Sequence, residues 1–273
     1  MLEFSIVATP IGNLEDITFR AVRTLKEADF ILCEDTRKTK VLLNKYEIVK
    51  PLKAYHQQSN DNQIRKILEE MKQVEKVALV TDAGTPGISD PGNLLIERAL
   101  EFFGNDIKIT PIPGANALSA LVSVAGINMT RFTFMGFPPN KKGREKFFRE
   151  VLASNYPTLY YESPYRLMKN LELIEKLQEE FENSQESGNM NLSAVRGKAE
   201  QRKEAYLKVR GVSSGGFDKE MCQTRSSGKK IILGRELTKI FEEIKRGEVA
   251  DIKKYYEENP DKVKGEIVVL IYN

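Results

Sequence analysis

Histidine is almost missing from this chain: there is one, His56, in 273 residues. A Ser-His-Asp relay would have to run through that single imidazole, and the HExxH pair of a zinc protease cannot be built. Cysteine is nearly as scarce, with Cys33 in an apolar run and Cys222 in a polar one. Two thiols suit a reduced compartment and cannot make a four-thiolate zinc site. No apolar run approaches the ~20 residues of a membrane-spanning helix, and no basic-then-apolar leader opens the sequence. The expectation is a soluble, cytoplasmic protein with no membrane partner. Two nucleotide fingerprints are also missing. There is no G-x-G-x-x-G and no glycine loop ending in Lys-Ser/Thr, so neither a dinucleotide fold nor a P-loop NTPase is supported. Charge of one sign is lacking too: 42 Lys and Arg stand against 39 Asp and Glu, a net +3. A nucleic-acid partner has to be argued from local clusters.

What the chain does have is a series of apolar runs that stop at Gly/Pro loops. The stretch from Val77 to Gly92, VALVTDAGTPGISDPG, is the most telling. Val77 to Thr81 reads as a strand buried on both faces of a parallel sheet. Asp82 to Gly87 then packs two glycines and a proline into six residues, which forces a sharp turn with free N–H groups. Ser89-Asp90-Pro91-Gly92 reads as a helix start, with Asp90 as N-cap and Pro91 at the first helical position. Ligands of open α/β sheets bind at the carboxyl ends of strands, so this loop is a site candidate beside the simpler reading of a tight connection.

The same pattern recurs along the chain. A strand over Phe4 to Ala8 ends in Thr9-Pro10-Ile11-Gly12, before a helix capped by Asp16 or Thr18. A strand over 28–33 ends in Glu34-Asp35-Thr36-Arg37-Lys38, where the acids serve as helix caps or as catalysts. A strand over Ile107 to Ile112 ends in Pro113-Gly114-Ala115-Asn116, and a small-residue helix follows over Ala117 to Ala125. An amphipathic helix is expected over Asn60 to Lys72. Strands alternating with helices indicate a mostly parallel sheet in residues 1–113.

Residues 114–273 read as a second, α+β domain with a mixed or antiparallel sheet. Its strands are expected over 132–137, 158–161, 230–233 and 265–271, with a helix carrying Leu167, Leu171, Ile174 and Leu177. Residues 183–228 break the pattern and read as an insertion, with a basic helix over 191–210. Basic side chains gather in two further places. Arg37, Lys38, Lys40, Lys45, Lys50 and Lys53 face Glu47 alone, and Lys141, Lys142, Arg144, Lys146 and Arg149 face Glu145. Each is a solvated face or a grip for a polyanion.

Six motifs occur in order: TPIGNLEDIT from Thr9, EDTRKT from Glu34, DAGTPGISDPG from Asp82, PIPGANA from Pro111, YESPYR from Tyr161 and RELTK from Arg235. Together they closely resemble the small-subunit ribosomal RNA methyltransferases of the tetrapyrrole methylase superfamily. The resemblance spans nearly all of the chain outside 183–228. It departs at Tyr165, where the family commonly has His, and at Ala115, where it has proline.

The resemblance implies a two-domain α/β fold, 1–113 and 114–273, with S-adenosyl-L-methionine in the interdomain cleft, and a homodimer. It implies methylation of the ribose 2′-oxygen of a cytidine in the decoding region of 16S rRNA, within the small ribosomal subunit. Alternatives are a tetrapyrrole or protein-substrate methylase of the same superfamily, or a ribosome-binding factor without activity. The cofactor-lining candidates are Thr9, Pro10, Ile11, Gly12, Asp82, Ala83, Gly84, Thr85, Pro113 and Gly114, whose bared backbone groups can grip a ligand without charged side chains. Methyl transfer from a sulfonium is an in-line displacement in which alignment supplies most of the catalysis, with no metal required. A ribose hydroxyl needs a proton acceptor, for which Glu162 or Glu236 is the candidate. Arg235 and Lys239 are candidates to hold a phosphate or the developing oxyanion; the plainer reading is that Arg235 and a glutamate only pair with each other. Arg37, Lys38, Lys40, Lys141, Lys142 and Arg144 are the candidates to hold flanking RNA phosphates.

Overall fold

The computed structural model describes residues 1–56, 59–186 and 229–273, so the basic helix expected over 191–210 lies outside the described residues, as does the expected insertion from 187 to 228. Two sheets organise what is described. The first contains β1 (Leu2–Val7), β2 (Phe30–Cys33), β3 (Leu52–Ala54), β4 (Lys76–Leu79) and β5 (Ile107–Ile112), in the order β3-β2-β4-β1-β5. Every pairing is parallel, as the unbroken apolar runs require. Successive side chains divide between two cores. Phe4, Phe30, Leu32, Val77 and Leu79 pack under α3 (Asp61–Met71) and α4 (Asn93–Phe103). Val7, Ile31, Cys33, Ala78 and Val80 pack under α1 (Phe19–Glu27) and α2 (Thr36–Lys45).

Helix starts follow local chemistry. Thr18 caps α1 through Ala21 N at 3.1 Å, Asp35 caps α2 through Arg37 N at 2.8 Å, and Asn60 with Gln63 closes a capping box on α3. The expected cap at Asp90 is not there. Helix α4 begins from Gly92, at φ 143°, with no side-chain cap. Ser89, at φ 61°, and Gly92 turn the intervening backbone so that Asp90 faces the cleft described below instead of the first helical turn.

The second sheet is mixed: β6 (Thr133–Phe134), β7 (Thr158–Glu162), β8 (Lys230–Arg235), β9 (Glu243–Glu248) and β10 (Ile267–Tyr272), in the order β6-β7-β10-β8-β9. Only β6 and β7 run parallel. The strand expected over 132–137 shortens to two residues because Gly136, at φ 66°, turns the chain aside. One face, with Tyr160, Ile231, Leu233, Val269 and Ile271, is covered by α6 (Arg144–Ala153), α7 (Leu167–Glu186) and α8 (Val249–Glu258). The other, with Leu159, Ile232, Val268 and Leu270, packs against α5 (Ala117–Val124) through Leu121, and Ile11 from the first half joins this core. That shared core fixes the carboxyl ends of the first sheet against the second. No helix among the described residues is long and apolar enough to cross a membrane.

Candidate functional site

The backbone builds this site before the side chains do. Beyond β1 and β4, Thr9 and Gly84 form an isolated bridge: Thr9 N donates to Gly84 O at 2.9 Å and Gly84 N to Thr9 O at 3.0 Å. Gly84 sits at φ 81°, where a Cβ would be strained and would press on Ile11 Cγ2 at 3.3 Å. Thr85 Oγ1 donates to Ala115 O at 3.2 Å, which ties the loop after β4 to the turn after β5. Three sequence-distant loops are thus joined into one wall.

The opposite wall comes from the second sheet. Tyr161 to Pro164 close β7, Gly234 and Leu237 lie at the end of β8, and Gly265 to Val268 lead into β10. Gly234 permits a close approach, since a Cβ there would stand 2.9 Å from Leu121 Cδ1. Between the walls is a cleft of about 360 Å³, within the range of roughly 300–1,000 Å³ usual for small-molecule sites. Among the described residues its charged lining is Asp90, Glu162 and Glu266, with no Lys or Arg. Phe137 and Tyr161 add aromatic faces, 5.3 Å apart at their centroids.

The expected cofactor-lining residues divide. Ile11, Ala83, Gly84 and Thr85 line the cleft. Thr9 stands behind it, buried, with Oγ1 donating to Thr81 O at 3.2 Å, and Pro10 is buried beside it. Gly12 faces a separate hollow with Asn13, Thr238 and Lys239, where a Cβ would collide with Lys239 Cγ at 2.4 Å. Asp82 turns away, accepting from Asp35 N at 3.0 Å and pairing with Lys38 Nζ at 2.7 Å. Pro113 and Gly114 are outside the lining, and Gly114 packs on Ala8; Asn116 and Ala117 take that place.

Of the expected catalytic residues, only Glu162 reaches the cleft. It is buried at 2% exposure, with Oε1 accepting from Ser163 N at 2.7 Å and Oε2 from Asn170 Nδ2 at 2.6 Å. Burial raises its pKa against the pull of those hydrogen bonds. Arg235 points to the helix-covered side of its sheet, 3.5 Å from Glu243 Oε2, so its glutamate partner is on neighbouring β9. Glu236, at φ 51°, accepts from Lys239 Nζ at 2.8 Å and Glu266 N at 2.9 Å. Burial opposes its ionisation, but those donors outweigh it and hold the pKa below the ordinary carboxylate value. Lys239 also reaches Glu266 Oε2 at 3.2 Å.

The basic candidates lie around the cleft, not in it. Arg37 pairs with Asp35 at 2.8 Å, Lys38 with Asp82, and Lys40, Lys141 and Lys142 are exposed. Arg144 donates to Pro139 O at 3.3 Å, and Arg166, beside it, donates to Pro138 O at 3.4 Å. These guanidiniums hold the 138–140 loop, and both lie close enough to Glu162 to favour its charged form.

Sequence reasoning missed Asp90, Asn116, Phe137, Tyr161 and Glu266 as lining residues. Asp90 was visible as an acid in a Gly/Pro loop, but a capping role absorbed it. Its pKa is pushed up to about 7 by burial first, then by the charges of Glu34, Asp82 and Glu266. Tyr161 is raised to about 12 by burial and by Asp90.

Chemically, a pocket whose described lining is acidic and aromatic, without cationic side chains, suits a positively charged ligand and repels phosphate. A sulfonium with an attached purine fits this donor set: carboxylates and rings for the cation, and turn amides and carbonyls for the polar edges. A phosphate-rich ligand would have to be gripped at the rim.

Comparison with known proteins gives three kinds of finding. The model of a family described as Tetrapyrrole (Corrin/Porphyrin) Methylases matches residues 3–187. Three curated relatives are similar along nearly all of their length. A protein of Thermotoga maritima named ribosomal RNA small subunit methyltransferase I is 36% identical, over 97% of this chain and 96% of that one. Proteins of the same name from Borrelia garinii and from Hydrogenobaculum are each 35% identical, over 97% and 99% of this chain and 96% and 95% of theirs. Solved structures share the fold at low identity. A diphthine synthase aligns with a TM-score of 0.62 at 13% identity, covering 99% of this chain and 90% of that one. A cobalt precorrin-4 methyltransferase aligns at 0.58 and 15%, covering 98% and 94%.

Proposed function

Because this chain belongs to the tetrapyrrole methylase family, and within it to the ribosomal RNA small subunit methyltransferase I proteins, we propose that it methylates small-subunit ribosomal RNA with S-adenosyl-L-methionine as donor. The finer reading is transfer to the ribose 2′-oxygen of a cytidine in the decoding region of 16S rRNA. A cytoplasmic homodimer and a domain boundary between Pro113 and Gly114 complete it.

The observation that carries the reading is the separation of charge. The cleft holds Asp90, Glu162 and Glu266, while Lys38, Arg37, Lys141 and Lys142 lie outside it. A cationic methyl donor is favoured inside and a polyanion is held at the rim. When bound, the donor supplies an electrophilic methyl group. The protein aligns it through the turn backbone at Ala83 to Thr85, excludes water with Ile11, Phe137 and Leu237, and accepts the nucleotide from the open side. The target ribose must leave its stacked or paired setting to enter, as for other enzymes that modify single nucleotides. Outside the cleft, the exposed lysines engage the neighbouring phosphates.

Transfer of labelled methyl to small subunits that lack modifications, followed by mapping of alkali-resistant linkages, tests this directly. A 2′-O-methyl group blocks hydrolysis at its own phosphodiester, so the map reports atom and position together. One resistant linkage at a decoding-region cytidine is expected. Demonstrated binding of the donor without transfer to subunits or naked RNA would favour a tetrapyrrole or protein substrate.

A further inference from the structure

We infer that Tyr165 is a stacking platform for an RNA base that flanks the target nucleotide, set at the rim of the cleft beside Lys141 and Lys142; this rests on the methyl-transfer reading above. The turn that carries it belongs to the cleft wall. Glu162, Ser163 and Pro164 line the opening, and Tyr165 is the next residue, 92% exposed. Arg166 N and Leu167 N both donate to Ser163 O at 3.0 Å, which fixes the turn at the start of α7. The ring is thus carried into solvent from a firm base. Other described tyrosines are engaged within the protein: Tyr46 OH donates to Leu14 O at 2.6 Å, Tyr161 packs on Phe134 and Phe137, and Tyr255 donates to Glu243. Among the described residues Tyr165 has neither a ring contact nor a hydrogen-bond partner for its hydroxyl.

Exposure alone does not make a site, because single apolar side chains are common on protein surfaces. What sets Tyr165 apart is its link to a basic loop. Arg166, the residue after it, reaches across to the segment before α6, donating through Nη1 to Pro138 O at 3.4 Å and to Asn140 Oδ1. Arg144 holds the same segment through Pro139 O at 3.3 Å. That segment begins beside Phe137 in the cleft lining and runs on into exposed Lys141 and Lys142. The two guanidiniums are occupied with the frame, so the two lysines are left to meet phosphate. An aromatic face and two ammonium groups are therefore mounted together on one edge of the cleft.

Proteins that hold single-stranded nucleic acid combine these same two elements, cations along the backbone and rings on which bases stack. The acidic lining of the cleft repels phosphate, so the RNA backbone on either side of the target has to pass over the rim. Drawing one nucleotide out of its stack also leaves the next base without a neighbour on one face. Tyr165 supplies the missing face. Every base has such a face, so the contact selects for RNA that is opened at the target and is tolerant of sequence. A paired, stacked strand offers the ring nothing to lie against.

The test uses the full chain, unmodified small subunits and labelled S-adenosyl-L-methionine. Filter binding gives subunit affinity at several salt concentrations, calorimetry gives donor affinity, and single-turnover rates are taken at limiting and at saturating subunits. Tyr165→Ala is expected to weaken subunit binding about 5- to 150-fold, the usual worth of one stacked base. The rate at saturation and the donor affinity should stay within a few-fold of wild type, as for a contact made equally before and during the reaction. The slope of log affinity against log salt should not change, because no phosphate contact is lost. Tyr165→Phe keeps the ring and should bind within a few-fold of wild type, whereas Tyr165→Leu keeps apolar bulk without the ring and should fall with Tyr165→Ala. All three variants should melt with wild type, since the side chain is exposed. The inference is overturned, with the methyl-transfer reading left standing, if Tyr165→Ala binds subunits within about twofold of wild type, if Tyr165→Leu binds as well as Tyr165→Phe, or if Tyr165→Phe is as weak as Tyr165→Ala. Loss of donor affinity or a lowered melting temperature in Tyr165→Ala overturns it too, by making the ring a donor contact or a structural group. A wild-type protein that binds the donor yet methylates no RNA overturns both.

Discussion

At Asp90 the charged form has to exist in a partly buried place beside the charges of Glu34, Asp82 and Glu266. The folded chain therefore holds a proton that the unfolded chain has released, over the window from 3.8 up to about 7. The sign follows from linkage. A carboxyl whose folded pKa is raised favours the folded state at low pH, and that contribution fades as pH climbs through the window. Asp90→Asn removes the titration, so its stability relative to wild type should be greater at pH 8 than at pH 5, in ligand-free protein. Urea midpoints of the two proteins at both pH values check this; a constant difference would mean that the carboxyl titrates at its ordinary value. Glu162 is also raised by burial, yet Ser163 and Asn170 satisfy its oxygens. Burial raises both acids, and at Glu162 hydrogen-bond donors oppose it.

Helix α5 and the end of β8 meet at a tight contact. Leu121 is fully buried, and Gly234 leaves it room that a Cβ would fill at 2.9 Å, with Leu237 Cδ2 at 3.1 Å. Gly234→Ala should cost about 1–3 kcal/mol by overpacking, and Leu121→Ala about 2–5 kcal/mol by leaving a cavity. The double variant should be more stable than the sum of the two losses predicts, by roughly 0.5–3 kcal/mol, because the shorter side chain frees the space the new methyl needs. Denaturant unfolding of the four proteins gives the cycle, and strict additivity would show that the two elements do not press on each other. Elements like these differed in how plainly the sequence announced them. The parallel strands were legible because burial on both faces leaves unbroken apolar runs such as Phe30 to Cys33. β9 was not, because EIKRGE is an edge strand of half-exposed, mostly polar residues paired only to β8. α8 followed it unnoticed, although Val249, Ile252 and Tyr256 keep a helical spacing. At the site, the glycine loops marked one wall of the cleft, but Phe137, Tyr161 and Glu266 enter the lining only through tertiary placement. No local pattern gives that away.

Among the described residues the cleft is lined by carboxylates, while Arg37, Lys38, Lys141 and Lys142 are exposed outside its lining. Lys141 and Lys142 are exposed, ahead of α6. Replacing both by alanine should weaken binding to small subunits and flatten the plot of log affinity against log salt by about 0.7–0.9 per lost phosphate contact. Donor affinity should not move. Filter-binding at several salt concentrations measures the slope, and an unchanged slope would remove these lysines from the RNA interface. The reciprocal pair of amide bonds between Thr9 and Gly84 bears on how the molecule meets its ligand. Each residue is both donor and acceptor to the other, so neither loop can swing out unless both bonds break together. The wall then stands ready in advance of any encounter, and little disorder is left for a ligand to quench on arrival. Its signature in deuterated solvent is slow isotope exchange at the Thr9 and Gly84 amides of the ligand-free protein. Fast exchange at those two positions, slowed only after the donor is added, would instead describe a wall that assembles around its guest.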